Sequence, residues 1–192
     1  MEEEDYSIPK KIIDKPDFTM ERIDKNKYVT TFSIENKNIY LKKFINFNLM
    51  QILYEVNKDI FEDFKYKHID DNCVESYFLI KHFFSDFGLP QKFSHTNVEK
   101  IDDPENNSIL FICKNSITNI LNIPNIPNKG EMMNLDYMCL KCKITNNHKI
   151  EVLSHIFFRE MDIPAFVEKM SGIIISKMFI KVKQFIENIT II

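Results

Sequence analysis

The chain has 192 residues and a mass of 22.9 kDa, enough to bury one sizeable core without disulfides or metal. Hydrophobic residues make up 44% and charged residues 28%, an ordinary globular balance, and the formal net charge of −3 supplies no long-range field to draw in nucleic acid. Arg22 and Arg159 are the only arginines, which removes the side chain best suited to bidentate contact with phosphate and guanine, so nucleic-acid binding is not expected.

The start, Met1-Glu2-Glu3-Glu4-Asp5, is the opposite of the basic, then apolar, opening of a secretory signal, and a cytoplasmic protein is expected. Residues 1–26 carry Pro9, Pro16 and clustered charges with only short apolar pairs. They read as an acidic N-terminal arm, extended or loosely packed, ahead of a single domain over 27–192. Tyr28, Thr30, Phe32 and Ile34, then Ile39, Leu41 and Phe44, suggest two extended segments around Glu35-Asn36-Lys37-Asn38, a hairpin. The period then changes. Leu49, Ile52, Leu53, Val56, Ile60 and Phe64 recur at three- and four-residue steps, which predicts a helix capped by Asn48.

After Asp70-Asp71-Asn72, the run Val74–Phe84 is aromatic and β-branched without a helical stripe and predicts a strand, with Gly88 and Pro90 bending the chain beyond it. Phe93–Ile101 and Ile109–Cys113 predict two more strands, and residues 122–130, with Pro124 and Pro127, a loop. The clearest local pattern lies over 134–159. Met138, Leu140, Cys142 and Ile144 alternate with Lys141, Lys143 and Thr145, and after Asn146-Asn147-His148 the residues Ile150, Val152, Ser154, Ile156 and Phe158 alternate likewise. Pairing Ile144 with Ile150 sets Cys142 opposite Val152, Leu140 opposite Ser154 and Met138 opposite Ile156, while Lys143 meets Glu151 on the other face. Asp162 and Pro164 then suit the start of a helix running to about Asn188, roughly 35–40 Å long at 1.5 Å per residue. Its expected stripe is Val167, Met170, Ile174, Met178, Val182, Phe185 and Ile189, and Ile173, Ile175, Phe179 and Ile180 widen the apolar arc toward loops, a ligand or a partner.

This order of hairpin, helix, antiparallel strands and long final helix from Asp162-Ile163-Pro164-Ala165-Phe166-Val167 resembles the helix-grip fold of the StAR-related lipid-transfer and polyketide-cyclase superfamily. The resemblance spans about Tyr28 to Ile189 and lies in element order rather than in a motif. It implies an α+β architecture in which a curved antiparallel sheet grips the C-terminal helix and leaves a cavity between them. Met138, Leu140, Ile156, Ile174 and Met178 become candidate ligand-binding walls, with Ser154 orienting a polar end. The same residues equally suit a filled interior, since close packing is the norm, and a hydroxyl on a strand more often bonds nearby backbone.

Non-catalytic binding or transfer of a lipid or other apolar small molecule is therefore the expected function, with transient membrane contact or a protein partner through the last helix. The alternative is a ligand-free interaction or assembly protein on the same fold; abundant Asn, Lys and Ile with 3 Gly and no Trp suggest an AT-rich source such as a parasite or large DNA virus. A third class is an enzyme of the cyclase or dehydratase kind. No catalytic residue, metal or cofactor is assigned. Cys139 and Cys142 have the gap of a zinc or redox pair, but no second close pair of Cys or His accompanies them, and on a strand they point to opposite faces. With Cys73 and Cys113 they are expected to be reduced, inert thiols. The histidines are scattered; His82 or His155 beside an acid such as Glu75 or Glu160 is the only pairing the sequence suggests. No Ile173–Ile180-like segment approaches the roughly 20 apolar residues of a membrane-spanning helix.

Overall fold

Strand alternation and helix pitch decide which side of this chain faces inward, and both are seen directly in a computed structural model that describes residues 6, 8–117, 120–121, 123, 130–159 and 163–190. The elements are β1 (Lys10–Lys15), β2 (Phe18–Asp24), β3 (Lys27–Glu35), α1 (Asn48–Glu55), β4 (Phe61–His68), β5 (Cys73–Ile80), β6 (Lys92–Asp103), β7 (Ser108–Asn115), β8 (Glu131–Met132), β9 (Leu135–Asn146), β10 (Lys149–Phe158) and α2 (Ala165–Glu187). They form a ten-stranded curved sheet in the order β1-β2-β3-β10-β9-β7-β6-β5-β4, with β8 added to β6. Every pairing is antiparallel except that of β8. The architecture is the expected α+β grip of a sheet on a C-terminal helix.

The β9–β10 hairpin has the expected register: Ile144 pairs with Ile150, Cys142 with Val152, Leu140 with Ser154, Met138 with Ile156, and Lys143 with Glu151. A slip by one residue would turn all of those apolar groups outward, so one buried face is enough to specify the pairing. β10 pairs on its other side with β3, setting Ser154 opposite Thr30 and Ile156 opposite Tyr28.

Several local expectations are corrected. The stretch 1–26 holds β1 and β2, where an arm was expected; Phe18, Met20 and Arg22 alternate inward and are buried at 1%, 3% and 2% exposure. An arginine on the inner face hid this alternation. β3 forms its hairpin with β2, not with the segment from Ile39, which instead enters a short 3-10 turn at Leu41–Phe44. Asn36 ends β3 there because its Nδ2 donates to the carbonyls of Ile186 and Ile189, at 2.7 and 2.9 Å, and so closes the last turn of α2.

The helix expected to run to Phe64 stops at Glu55. Asn57, fully buried, donates to the Leu53 carbonyl at 2.9 Å and to the Met178 carbonyl at 3.2 Å, ending α1 and tying it to α2. Phe61–His68 then gains ladder bonds to β5 and an aromatic contact of Phe64 on Phe78, 4.4 Å between centroids, which a further helical turn would forfeit. At the other end of α1, Asn48 is the first helical residue rather than the cap; Phe47 holds the cap position, and Asn46 Oδ1 accepts the Asn48 N–H at 2.8 Å.

The packed face of α2 is rotated from the expected stripe. Glu168, Gly172, Ser176, Phe179, Val182 and Ile186 are buried, whereas Met170 and Phe185 are each 45% exposed. Small and polar residues occupy the contact because the helix lies close over β1 and β2: a Cβ on Gly172 would meet Ile12 Cγ2 at 2.7 Å. Pro164 sits just before the first helical residue, with φ −57° and ψ 142°, and the expected Asp162 cap lies outside the described residues. Among the described residues, no helix is long and apolar enough to cross a membrane.

Candidate functional site between the sheet and the last helix

The interior has two unlike halves. Toward the C-terminal end of α2 it is closed: Leu41, Ile45 and Phe47 pack with Val74, Phe111, Cys142 and Val182, all buried. Toward the N-terminal half of α2 a larger share of the packed side chains is half-buried. Met138 on β9 packs in the cluster of Tyr28, Ile156 and Phe179, whereas Ile174 on α2 packs with Phe61 and Phe78, and Met178 bridges the two clusters.

The structure places the expected wall residues on the inner face of the sheet and the side of α2 turned toward it, but not with equal access. Met138, Leu140, Ile174 and Met178 are half-buried, Ile156 is buried, and Ser154 has 0% exposure. A hydroxyl without accessible surface meets no guest unless its neighbours move. Cys113, paired with Met138 from β7, was not singled out from the sequence. Burial pushes its thiol up to about 12, yet its surface remains only half-buried.

Ser154 belongs to a pair. Thr30 lies directly opposite on β3, also at 0% exposure, and the hydroxyls of both are buried without a hydrogen-bond partner. Replacing Thr30 with Val keeps shape and β-branching while removing the unsatisfied group. Thr30→Val is expected to raise the unfolding free energy in urea by about 1 kcal/mol; a loss of similar size would mean that the hydroxyl makes a bond.

A charged cluster that sequence spacing does not signal joins the start of α2 to the sheet. Glu168 accepts from Arg22 Nη1 at 3.1 and 3.2 Å and from the Tyr28 hydroxyl at 2.9 Å, with all three residues buried. Burial, and then the bond to Glu168, holds the Tyr28 phenol above its ordinary range. The Arg22 guanidinium lies 4.5 Å from the centroid of the Tyr6 ring. These partners are 140 and 146 residues apart in the chain, so only the sheet's grip on the helix brings them together.

Among the described residues, the histidine that meets an acid is His95, not His82 or His155. Its Nε2 lies 2.5 Å from Glu75 Oε1, and the other carboxylate oxygen accepts the Ile120 N–H at 2.8 Å. This contact is on the outer face of the sheet, opposite to the side of Phe78 and Ser76. His155 also faces outward, stacked on Phe157 at 5.9 Å, and His82 is exposed with Nε2 2.6 Å from the Leu89 carbonyl. Glu160 lies outside the described residues. Cys139 and Cys142 take opposite faces of β9, and burial pushes the Cys142 thiol up to about 12, away from thiolate chemistry. All four cysteines are free thiols.

No protein-family profile matches the chain, and a comparison with curated proteins finds no relative. Solved structures do match in shape. Human StAR-related lipid transfer protein 5 superposes with a TM-score of 0.67 at 9% identity, over 95% of this chain and 88% of that one. Human STARD10 gives 0.65 at 9% identity, over 92% and 71%, and a STAR-related lipid transfer protein from Xanthomonas axonopodis gives 0.61 at 7%, over 93% and 98%. Identities this low speak to architecture alone. With its sheet order, closing hairpin and gripped terminal helix, the chain has the helix-grip fold of the StAR-related lipid-transfer superfamily.

Proposed function

We propose that this chain is a cytoplasmic, non-catalytic protein that binds or transfers a lipid or other apolar small molecule between its sheet and α2. The single observation carrying the reading is that Met138, Leu140, Cys113, Ile174 and Met178 lie on the covered side of the sheet or against it and are half-buried rather than buried. Flexible, polarizable Met side chains at two of these positions adapt to an irregular guest. Ile156 and Ser154 stand behind them as supporting positions. The likeness in fold to proteins named for lipid transfer supports the same reading. Native mass spectrometry of the gently purified chain is expected to show a co-purified or readily loaded lipid. A chain that carries none, and takes up none from vesicles of mixed neutral and anionic lipids, would overturn it.

A second reading, an assembly protein that uses the fold without a ligand, is favoured by a different observation. The apolar residues left exposed on α2 are Phe166, Met170, Ile173 and Phe185, and Phe166 touches Phe87, itself 65% exposed, at 5.1 Å between ring centroids. Phe179, expected on such a surface, is instead buried against Phe18 and Phe32. Light scattering decides: a strict monomer in which Phe166→Asp leaves partner recovery unchanged removes this reading.

A further inference from the structure

The sheet ends on β4, and among the described residues no strand pairs with its outer edge. The corner around that edge is only partly covered. Helix α1 has no buried residue, and its Tyr54 stacks on Phe64 of β4 at 5.3 Å between ring centroids. Phe64 in turn stacks on Tyr66 at 5.5 Å, and both β4 rings are half-buried. A bare strand edge is a template for another strand, and charge is the usual device that limits what pairs with it. On β4 the charges are ordered by sign: Glu62 and Asp63 come first, Lys65 and Lys67 after. Asp63, Lys65 and Lys67 pair with Leu79, Tyr77 and Glu75 of β5 and so point to the outer face, while Phe61, Phe64 and Tyr66 point inward. The register shifts at Glu62, which is the extra residue between Phe61 and Asp63. An acidic start and a basic end make the strand complementary to its own reversed copy.

That order selects a register. Two copies related by a two-fold axis through the sheet keep their inner faces on one side, so rings must meet rings and charges must meet charges. Centring the pair on Asp63 or on Lys65 sets like charges opposite each other, and centring it on Tyr66 sets Lys65 against Lys67; each arrangement is repulsive. Centring on Phe64 sets Asp63 opposite the second copy's Lys65 twice. It also stacks Phe64 on its own copy and, counting past Glu62 as the β5 ladder does, brings Phe61 opposite the second copy's Tyr66. Within one chain these charges are weakly engaged: Lys65 Nζ lies 3.8 Å from Asp63 Oδ2, with side-chain exposures of 40% and 43%, and Asp63 Oδ1 accepts the Phe64 N–H at 2.9 Å. The other free edge, β1, offers no such match, since it carries Lys10, Lys11 and Lys15 against Asp14, and a β1-to-β4 contact would be head-to-tail and would not close.

We infer that the β4 edge is a self-association surface whose partner is a second copy of this chain, joined antiparallel about Phe64 into one continuous sheet and held in register by two Asp63–Lys65 pairs. A single strand pair buries an area at the low end of specific interfaces, so the dimer is reversible, with a dissociation constant on the order of 10 µM. The pairing involves no ligand and stands apart from the lipid-binding reading.

The test is sedimentation equilibrium of the full chain from about 2 to about 200 µM, a range that brackets that constant. The parent chain is expected to pass from 22.9 kDa to twice that mass and no further, and to dissociate about ten-fold more readily when salt is raised from about 50 to about 500 mM. Lys65→Asp and Asp63→Lys each set like charges across the axis, and each variant alone is expected to be monomeric with the melting temperature of the parent. Mixed together, the two variants place acid opposite base at both pairs and are expected to form a one-to-one dimer, a rescue that a folding defect would not produce. Phe166→Asp, on the exposed side of α2, is expected to leave the dimer intact. A parent chain that remains a monomer at about 200 µM, species that grow beyond the dimer, single variants that still dimerise, or a mixture that stays monomeric would each overturn the inference.

Discussion

Glu168→Leu is expected to lower the unfolding free energy by about 3–5 kcal/mol in urea titration, because it breaks a buried ion pair from one side. Arg22 and Glu168 have side-chain exposures of 3% and 6%, so water screens neither. Losing the carboxylate takes the bidentate acceptor from the buried Arg22 guanidinium and the acceptor from the Tyr28 hydroxyl. Position matters as well: Glu168 lies in the first turn of α2, where a negative charge also meets the positive end of the helix. The double variant Arg22→Met with Glu168→Leu is expected to recover much of that loss, since apolar groups of similar volume can replace a buried pair at little net cost. Single-variant losses that simply add in the double variant, or a Glu168→Leu loss under about 1 kcal/mol, would show that the pair is hydrated and does not clamp the helix to the sheet.

Met138→Trp separates an open interior from a filled one by the sign of two measurements. In a filled core the larger side chain costs about 1–3 kcal/mol through overpacking. Where space is available the indole occupies it, stability is held or raised, and an apolar guest loses its place. The expected outcome is a thermal midpoint within a few degrees of the parent chain together with a loss of Nile red and lipid uptake of about a hundred-fold, a difference of roughly 2.7 kcal/mol. A destabilised variant that still binds would move the ligand away from β9. A destabilised variant of a parent chain that never bound would return the interior to ordinary close packing.

The latch and the wall share a physical role. Holding α2 against β2 and β3 through Glu168, while Gly172 allows close approach to β1, fixes one edge of the helix. Asn57 and Asn36 fix its middle and its end through the carbonyls of Met178 and Ile186. The side of α2 bearing Ile174 and Met178 is thereby held over the β4–β5 part of the sheet, with both side chains half-buried. Lys177 and Lys181 both reach Asp59 at 2.6 Å, but these pairs are exposed and contribute little to that positioning.

How much of this was legible in the residues depends on the range of the interactions that decide it. The β9–β10 hairpin was readable to the residue, because period-two alternation on two nearby segments allows one register that buries Met138, Leu140, Ile150 and Val152 together. The extent of α2 was readable from Pro164 and the long run of helix formers, and the grip of sheet on helix from element order. The face of α2 was not. A stripe of apolar residues marks a buried face only when the contact is apolar, and here the contact is made by Glu168, Gly172 and Ser176, whose burial depends on Arg22, Tyr28 and Ile12 far away in the chain. For the same reason β2 escaped notice, since Arg22 reads as a surface residue until its partner is in place. Local periodicity is set by neighbours a few residues apart and survives in the sequence as pattern. The pairing of buried polar groups such as Arg22, Tyr28 and Glu168 exists only after distant strands and the terminal helix have met, and it was decided by the tertiary structure alone.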